Sequence, residues 1–212
     1  MSTSHTVSAE QQKALDTFKS IMGADKVLTS EQATRPFSKG YRFGGGALFA
    51  VLRPTTLVQV WQALKVCLEH DFMVIPQASN TGLTGGSGPG FQDYDRPIVL
   101  ISTHLINQVH LINDAREAIS LAGTTLTKLT ETLTPHQREP HSVIGSTSIG
   151  ASVIGGIANN SGGSQIRKGP AFTREAIYAR VTADGELELV NHLGINFGHD
   201  PEVALELLQR GD

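Results

Sequence analysis

Apolar residues spaced three or four positions apart predict four amphipathic helices in this chain of 212 residues. Each predicted helix follows a residue whose side-chain oxygen can accept a backbone N–H at the helix start. These N-cap residues are Ser8, Thr56, Thr125 and Asp200. Ser8 and Gln11 form a capping box, Gly23 ends the first helix, and the last helix is predicted over residues 201–208. The second helix has one apolar face, made of Leu57, Val60, Trp61, Leu64, Cys67 and Leu68.

Short apolar runs between the helices predict β-strands at residues 47–53, 72–75, 98–102 and 118–122. The first two strands flank the helix that follows Thr56, which is the order of a right-handed βαβ unit with parallel pairing. Near the end of the chain, a β-hairpin is predicted for residues 177–181 and 187–190 around Asp184-Gly185. The stretch 35–46 combines proline, glycine and basic residues, and we expect it to be a loop.

Two long stretches without charged residues interrupt this pattern. The first glycine run, PQASNTGLTGGSGPG, covers residues 76–90 and begins where the second predicted strand ends. The second glycine run, SVIGSTSIGASVIGGIANNSGGS, covers residues 142–164, and the spacing of Ile149, Val153 and Ile157 within it predicts a short helix. Such composition is also typical of flexible linkers, but the apolar residues inside both runs favour ordered backbone.

The residue types in these runs indicate anion binding. Glycine exposes its N–H and reaches positive φ, so glycines beside hydroxyl side chains form concave groups of donors that suit a phosphate or pyrophosphate. The sequence contains neither the P-loop pattern nor the dinucleotide-binding pattern of Rossmann folds. Phosphate is therefore predicted to bind to backbone N–H groups and hydroxyls without a cation, the hydroxyls being those of Ser79, Thr81, Ser87 and Ser152.

Net charge and composition limit which binding partners and which cellular location we expect for this chain. The chain has 17 Lys+Arg and 20 Asp+Glu, so we expect no nucleic acid partner and no electrostatic attraction to an anionic bilayer. The N-terminus lacks a signal-peptide pattern and no apolar run is long enough to span a bilayer, so we expect a soluble, cytoplasmic chain. The single cysteine, Cys67, is expected to be a packed core thiol.

The other titratable residues give weak signals. A metal role for His136 and His141 is disfavoured because no cysteine or carboxylate pattern surrounds them. Arg138 and Glu139 are either an active-site pair or an exposed ion pair of little energetic value. Three isolated histidines are expected at the surface or hydrogen-bonded in the core, namely His104, His110 and His192. We assign no catalytic residue and no metal ligand from the sequence.

The two glycine runs, together with REPHS at residues 138–142, resemble the FAD-binding domain of the bacterial respiratory, quinone-dependent D-lactate dehydrogenases. This family lies within the vanillyl-alcohol-oxidase group of flavoproteins, and the resemblance extends from the first helix to LVNHLGIN at residues 189–196. It implies an α+β fold of two subdomains. A small parallel βαβ subdomain with the pyrophosphate loop, at about residues 1–103, packs on a mixed or antiparallel sheet with helices, at about residues 104–212.

The resemblance also implies which residues contact FAD. The first run wraps the pyrophosphate through Ala78, Ser79, Asn80, Thr81, Gly82, Gly86 and Ser87. The second lies along the ribityl and isoalloxazine part and contributes Gly145, Ser152 and Gly162. In the wider group, covalent flavin attachment often uses a histidine of the pyrophosphate loop. Residues 76–90 contain none, so we expect noncovalent FAD.

The implied reaction is oxidation of D-lactate by hydride transfer to FAD, with electron delivery to quinone. Enzymes of this family continue beyond residue 212 with a substrate-binding cap domain, a membrane-contacting region and a return segment that completes the flavin fold. We therefore expect this chain to bind FAD without turning over D-lactate. Contact with the cytoplasmic face of the bacterial inner membrane is expected only through those further regions.

Three alternatives remain open from the sequence. The first is the FAD domain of another 2-hydroxy-acid dehydrogenase, such as one acting on glycolate. The second is a non-catalytic module that binds FAD or another pyrophosphate ligand. The third is an unliganded structural piece whose glycine runs only permit tight packing.

Overall fold

The computed structural model describes residues 7–90, 94–140, 145–161 and 175–212. Three 3-10 turns lie at Ala24–Lys26, Thr134–His136 and Gly145–Ile149. The helices and strands, in chain order, are α1 (Ala9–Met22), β1 (Val27–Leu28), α2 (Glu31–Ser38), β2 (Ala50–Leu52), α3 (Leu57–Glu69), β3 (Met73–Gln77), β4 (Ile98–Ser102), β5 (Val109–Ile112), β6 (Glu117–Ser120), α4 (Leu126–Leu133), α5 (Val153–Ala158), β7 (Ile177–Val181), β8 (Leu187–Asn191) and α6 (Pro201–Arg210).

The four predicted N-caps are confirmed. In each case the capping side chain accepts backbone N–H groups of the first turn, which are the groups that a helix start leaves unpaired. The short helix in the second glycine run is also confirmed as α5. However, Ile149 lies in the preceding 3-10 turn and is 51% exposed, so the apolar stripe of this helix begins only at Val153.

The main sheet has the strand order β1-β2-β4-β3. β4 pairs in parallel with both neighbours, and its Val99 lies opposite Ala50 of β2 and Val74 of β3. β2 and β3 are therefore parallel as predicted, but the predicted direct pairing between them is wrong because β4 lies between them. Every residue of β4 is buried, as expected for a strand with a parallel partner on each side.

A first core lies between this sheet and helices α1 and α3. Phe18, Leu52 and Cys67 have no exposed surface, which confirms Cys67 as a core thiol. Phe72 stacks on Phe49 with ring centroids 5.1 Å apart. Burying side chains of this size stabilises a fold by roughly 1.5 to 3 kcal/mol each, so this core holds the sheet whose strand ends carry the site.

A second core joins the C-terminal half to the other side of α3. Its buried residues are Ile106, Leu121, Phe197, Ala204 and Leu208, and Leu57 and Val60 of α3 pack against them. The backbone N–H of Leu57 also donates to Oε1 of Gln209 at 2.9 Å, which fixes α6 to the start of α3. Because α3 contributes to both cores, the subdomain boundary near residues 103 and 104 stays a prediction.

β1 pairs antiparallel with β2 at one edge of the main sheet, and the described residues also form two antiparallel hairpins. β7 pairs with β8 around Gly185, whose φ is 84°, as the Asp-Gly turn predicts. β6 corresponds to the strand predicted at 118–122, whereas its partner β5 was not predicted. A parallel sheet with helices plus antiparallel strands confirms the α+β fold class. No helix in the described part of the chain has both the length and the apolar character needed to cross a bilayer.

Two local predictions are wrong. The stretch 35–46 is not entirely loop, because α2 continues to Ser38. Ser30 caps this helix, and Pro36 removes only one backbone donor close to its end. On α3, Leu68 is 37% exposed and lies off the buried face.

Candidate functional site

The first glycine run leaves the carboxyl end of β3 and is closed by one buried side chain. Gln77, the last residue of β3, is 4% exposed. Its amide Nε2 donates to the carbonyl oxygen of Ser87 at 2.6 Å and to that of Phe37 at 2.9 Å. The run therefore returns to its own start as a closed loop, and the same amide attaches the loop to the end of α2.

Two of the predicted contact residues hold this loop in shape. Asn80 has a φ of 53°, in the left-handed region that asparagine tolerates better than most residues. Its Nδ2 donates to the carbonyl oxygen of Lys39 at 3.1 Å, and its Oδ1 accepts from the hydroxyl of Ser87 at 2.8 Å. The hydroxyl hydrogen and the carbonyl oxygen of Ser87 are thus both used inside the protein, so a ligand anion would bind to this residue through its backbone N–H.

Ser79 differs from its neighbours because its Oγ is buried and has no hydrogen-bond partner among the residues that the structure describes. A buried hydroxyl without a partner costs on the order of 1 to 3 kcal/mol. Close to it, Gly82 and Gly86 are exposed, and a Cβ at Gly82 would meet no atom within 4 Å. Ala78 and Thr81 are half-buried. This part of the run therefore combines an unsatisfied hydroxyl with backbone that a ligand can approach closely.

The second run is anchored to the start of α4. Ser152 is 5% exposed and caps α5, where its Oγ accepts the N–H of Gly155 at 3.1 Å. The N–H of Val153 donates to the carbonyl oxygen of Thr124 at 2.9 Å. Gly145 begins the 3-10 turn that precedes α5. Gly162, the remaining predicted contact of this run, lies outside the described residues.

Hydrogen bonds connect the start of the first run with α5 of the second run through Thr103, which directly follows β4. The N–H of Thr103 donates to the carbonyl oxygen of Gln77 at 2.8 Å, and its hydroxyl donates to the carbonyl oxygen of Ala122 at 3.0 Å. Two residues after Ala122, the carbonyl oxygen of Thr124 accepts the N–H of Val153. Gly123 permits the close approach of these segments, since a Cβ there would lie 2.1 Å from the oxygen of Thr103. The start of the first run and the start of α5 are therefore linked to the carboxyl ends of β3 and β4, where open parallel sheets bind ligands.

A third segment, residues 38–46, packs against the first run and was not assigned to the site from the sequence. Its turn is closed by the N–H of Gly40 donating to the oxygen of Phe43 at 2.9 Å. Phe43 lies against Gly85, and a Cβ on Gly85 would be 3.2 Å from that of Phe43. The N–H of Gly46 donates to the oxygen of Pro89 at 3.3 Å. The glycine triplet at 44–46 was a usable signal for this close contact.

The titratable side chains of the described residues do not cluster in the way that a metal centre needs. No group of three or more His, Cys, Asp or Glu residues in the described part of the chain is suited to a metal ion. Burial raises the pKa of the Cys67 thiol to about 12. Arg138 and Glu139 are both exposed. One prediction is corrected: Nε2 of His110 is buried and has no hydrogen-bond partner within the described ranges, so this histidine is not a fully hydrogen-bonded core group there.

Comparison with known proteins gives one family and several relatives. The family described as FAD binding domain matches residues 49–191. The quinone-dependent D-lactate dehydrogenase of Corynebacterium glutamicum is 77% identical over 200 residues, which are 94% of this chain and 35% of that protein. The enzyme of the same name from Haemophilus influenzae is 52% identical over 198 residues, with 93% and 35% covered. The chain thus spans about a third of the length of these curated relatives.

Solved structures support the fold. A crystal structure of p-cresol methylhydroxylase with substrate bound superposes with a TM-score of 0.68 at 19% identity, covering 93% of this chain and 40% of the other. At this identity the likeness concerns the fold alone. It supports the α+β fold class described above.

Proposed function

The chain belongs to the FAD binding domain family, and from that membership we propose that it is the FAD-binding portion of a quinone-dependent D-lactate dehydrogenase. The proposed activity of the whole protein is oxidation of D-lactate to pyruvate, with quinone as electron acceptor. When bound, FAD supplies the redox chemistry, and the protein supplies binding and orientation. The identity of 77% and 52% to two relatives of this name supports the choice of D-lactate and quinone.

The buried, unpartnered Oγ of Ser79 is the observation that carries FAD binding at this place. A ligand oxygen beside it would remove the cost of the missing hydrogen bond. Phosphate oxygens accept hydrogen bonds, and the first run offers this hydroxyl together with exposed glycine backbone at Gly82 and Gly86. The donor set therefore fits a diphosphate. No histidine occurs in residues 76–90, which supports noncovalent binding.

Each run has a separate task in this proposal. The first run binds the diphosphate through Ala78, Ser79, Asn80, Thr81, Gly82, Gly86 and Ser87. Asn80 also positions the loop, because it connects Lys39 to Ser87. The second run supports the rest of the flavin through Gly145, Ser152 and Gly162, with Ser152 fixing the start of α5. Exclusion of water from the flavin requires residues beyond those of the two runs.

The chain is proposed to bind FAD without oxidising D-lactate. None of the residues assigned to the site is a base that could take the substrate hydroxyl proton, and the relatives are about three times as long. Substrate binding, quinone reduction and contact with a membrane surface are assigned to the parts of the relatives that this chain does not cover. The proposed location is the cytoplasm, and for the whole protein the cytoplasmic face of the bacterial inner membrane.

A flavin titration tests the proposal. We expect FAD fluorescence to fall on addition of the purified chain, and not on addition of the same chain unfolded in guanidinium chloride. D-lactate added under anaerobic conditions is expected to leave the flavin absorbance unchanged. Unchanged fluorescence at high protein concentration would refute FAD binding. Bleaching by D-lactate would show that the substrate-binding and proton-abstracting groups lie within these 212 residues.

A further inference from the structure

A basic loop, defined as residues 38–46, is attached to the first glycine run at several points. The carbonyl oxygen of Lys39 in this loop accepts a hydrogen bond from Nδ2 of Asn80 at 3.1 Å. Its Phe43 lies against Gly85, and its Gly46 donates to Pro89. A bridge between Lys39 and Gly44 holds the loop together. The position of its backbone relative to the glycine run is therefore fixed at both ends of the run.

The basic loop brings positive charge to a run that has none. Lys39 and Arg42 are exposed, and neither forms an ion pair within the described residues. The sequence contains no Asp or Glu between residues 32 and 68, or between residues 72 and 92. The basic loop and the first run together thus carry two cations and no anion. Unpaired cations beside a donor-lined loop create a local potential that favours an anion.

We propose that Lys39 and Arg42 neutralise the diphosphate of FAD, while the glycine run provides the hydrogen bonds. This inference rests on the proposed function, because it assumes that FAD binds at the first run. It differs from the expectation from the sequence that the anion is held without a cation. The missing charge comes from a neighbouring segment, and it is brought there by the contacts of Asn80, Phe43 and Gly46.

The test compares two doubly substituted chains with the unsubstituted one. Lys39→Gln/Arg42→Gln removes both charges of the basic loop. Lys13→Gln/Arg116→Gln removes two exposed charges that lie on neither loop, and gives the same net charge. The FAD Kd is measured by fluorescence titration at about 20 mM and about 300 mM NaCl, since salt screens exposed charges strongly at the higher concentration. Thermal unfolding checks that all chains are folded.

We expect the Lys39→Gln/Arg42→Gln chain to have an FAD Kd about tenfold higher than the unsubstituted chain at low salt. At high salt, the Kd values of the two chains are expected to be almost equal. The charge-retaining Lys39→Arg/Arg42→Lys and the control are expected to stay within about twofold. An unchanged Kd and salt dependence in Lys39→Gln/Arg42→Gln, with FAD still bound by the unsubstituted chain, would overturn this inference alone. Failure of the unsubstituted chain to bind FAD would overturn the proposed function and this inference with it.

Discussion

Replacing Gly46 with alanine tests the close contact between the basic loop and the first glycine run. An ideal Cβ at Gly46 would lie 2.0 Å from the carbonyl oxygen of Gly90 and 3.2 Å from the Cβ of Pro89. Weak carbon–oxygen contacts in proteins are about 3.3 to 3.6 Å long. The two backbones must therefore separate by more than about 1 Å, and the hydrogen bond from Gly46 to Pro89 is lost or weakened.

Two contributions set the size of the effect. Overpacking of this kind costs about 1 to 3 kcal/mol, and loss of one hydrogen bond costs about 1 kcal/mol. We therefore expect Gly46→Ala to lower the free energy of unfolding by about 2 to 4 kcal/mol. For a chain of this length each kcal/mol shifts Tm by about 2 to 4 °C, so a decrease of about 4 to 16 °C follows. Circular dichroism during thermal and urea unfolding measures both quantities.

Gly82→Ala is the matched control, because a Cβ there would meet no atom within 4 Å. Both substitutions reduce the conformational entropy of the unfolded chain to the same extent, so this contribution cancels in the comparison. We expect Gly82→Ala to keep Tm within about 2 °C and to weaken FAD binding, since Gly82 is proposed to face the diphosphate. A Gly46→Ala chain as stable as the Gly82→Ala chain would refute the described contact.

Two further predictions concern single side chains. Ser79→Ala removes the unpartnered buried hydroxyl. We therefore expect the free energy of unfolding of the FAD-free chain to rise by about 1 kcal/mol and the FAD Kd to rise about tenfold. A less stable chain with an unchanged Kd would contradict the role given to Ser79. Cys67 has a pKa raised by burial to about 12 from 9.0, so the unfolded chain releases the thiol proton at lower pH than the folded chain does. The free energy of unfolding is thus expected to fall as pH rises from 9 to 12. The fall should exceed that of Cys67→Ala by up to about 1.4 kcal/mol per pH unit, as measured by urea unfolding at each pH. Equal pH dependence in the two chains would exclude this effect.

The helix starts and the buried strands were predictable because their signals are local. Ser8, Thr56, Thr125 and Asp200 each cap a helix within three residues of themselves. The insertion of β4 between β2 and β3 was not predictable in this way, since strand order depends on packing between distant segments. Pro36 misled the prediction for α2, because a proline near a helix end removes only one hydrogen bond. β5 was missed because His110 and the polar residues around it obscure its short apolar pattern.

The glycine runs could be identified from composition, but the use of each side chain could not. Ser87 and Asn80 bond to each other, and Ser152 caps α5, so three predicted contacts already have structural tasks. Ser79 is left as the buried hydroxyl without a partner among these predicted contacts. The difference between Ser79 and the other predicted contacts depends on the folded loop, which the Gln77 amide closes. Its two acceptors lie 40 and 10 residues away along the chain, so this closure could not be read from local sequence. The contacts of the basic loop with the first run also join distant segments, and the glycine triplet at 44–46 was their signal in the sequence.

In the proposed site, hydrogen-bond donors and charges lie on two segments. Glycine in the first run lets backbone N–H groups approach a diphosphate closely. Lys39 and Arg42 are proposed to supply positive charge from the neighbouring basic loop. The Gln77 amide bonds to Ser87 of the first run and to Phe37, the residue directly before the basic loop. A ligand that binds only when both segments are in place stabilises the folded chain by mass action. The three sets of substitutions therefore test three contributions separately: the close backbone contact at Gly46, the hydrogen bond proposed for Ser79, and the charge proposed for Lys39 and Arg42.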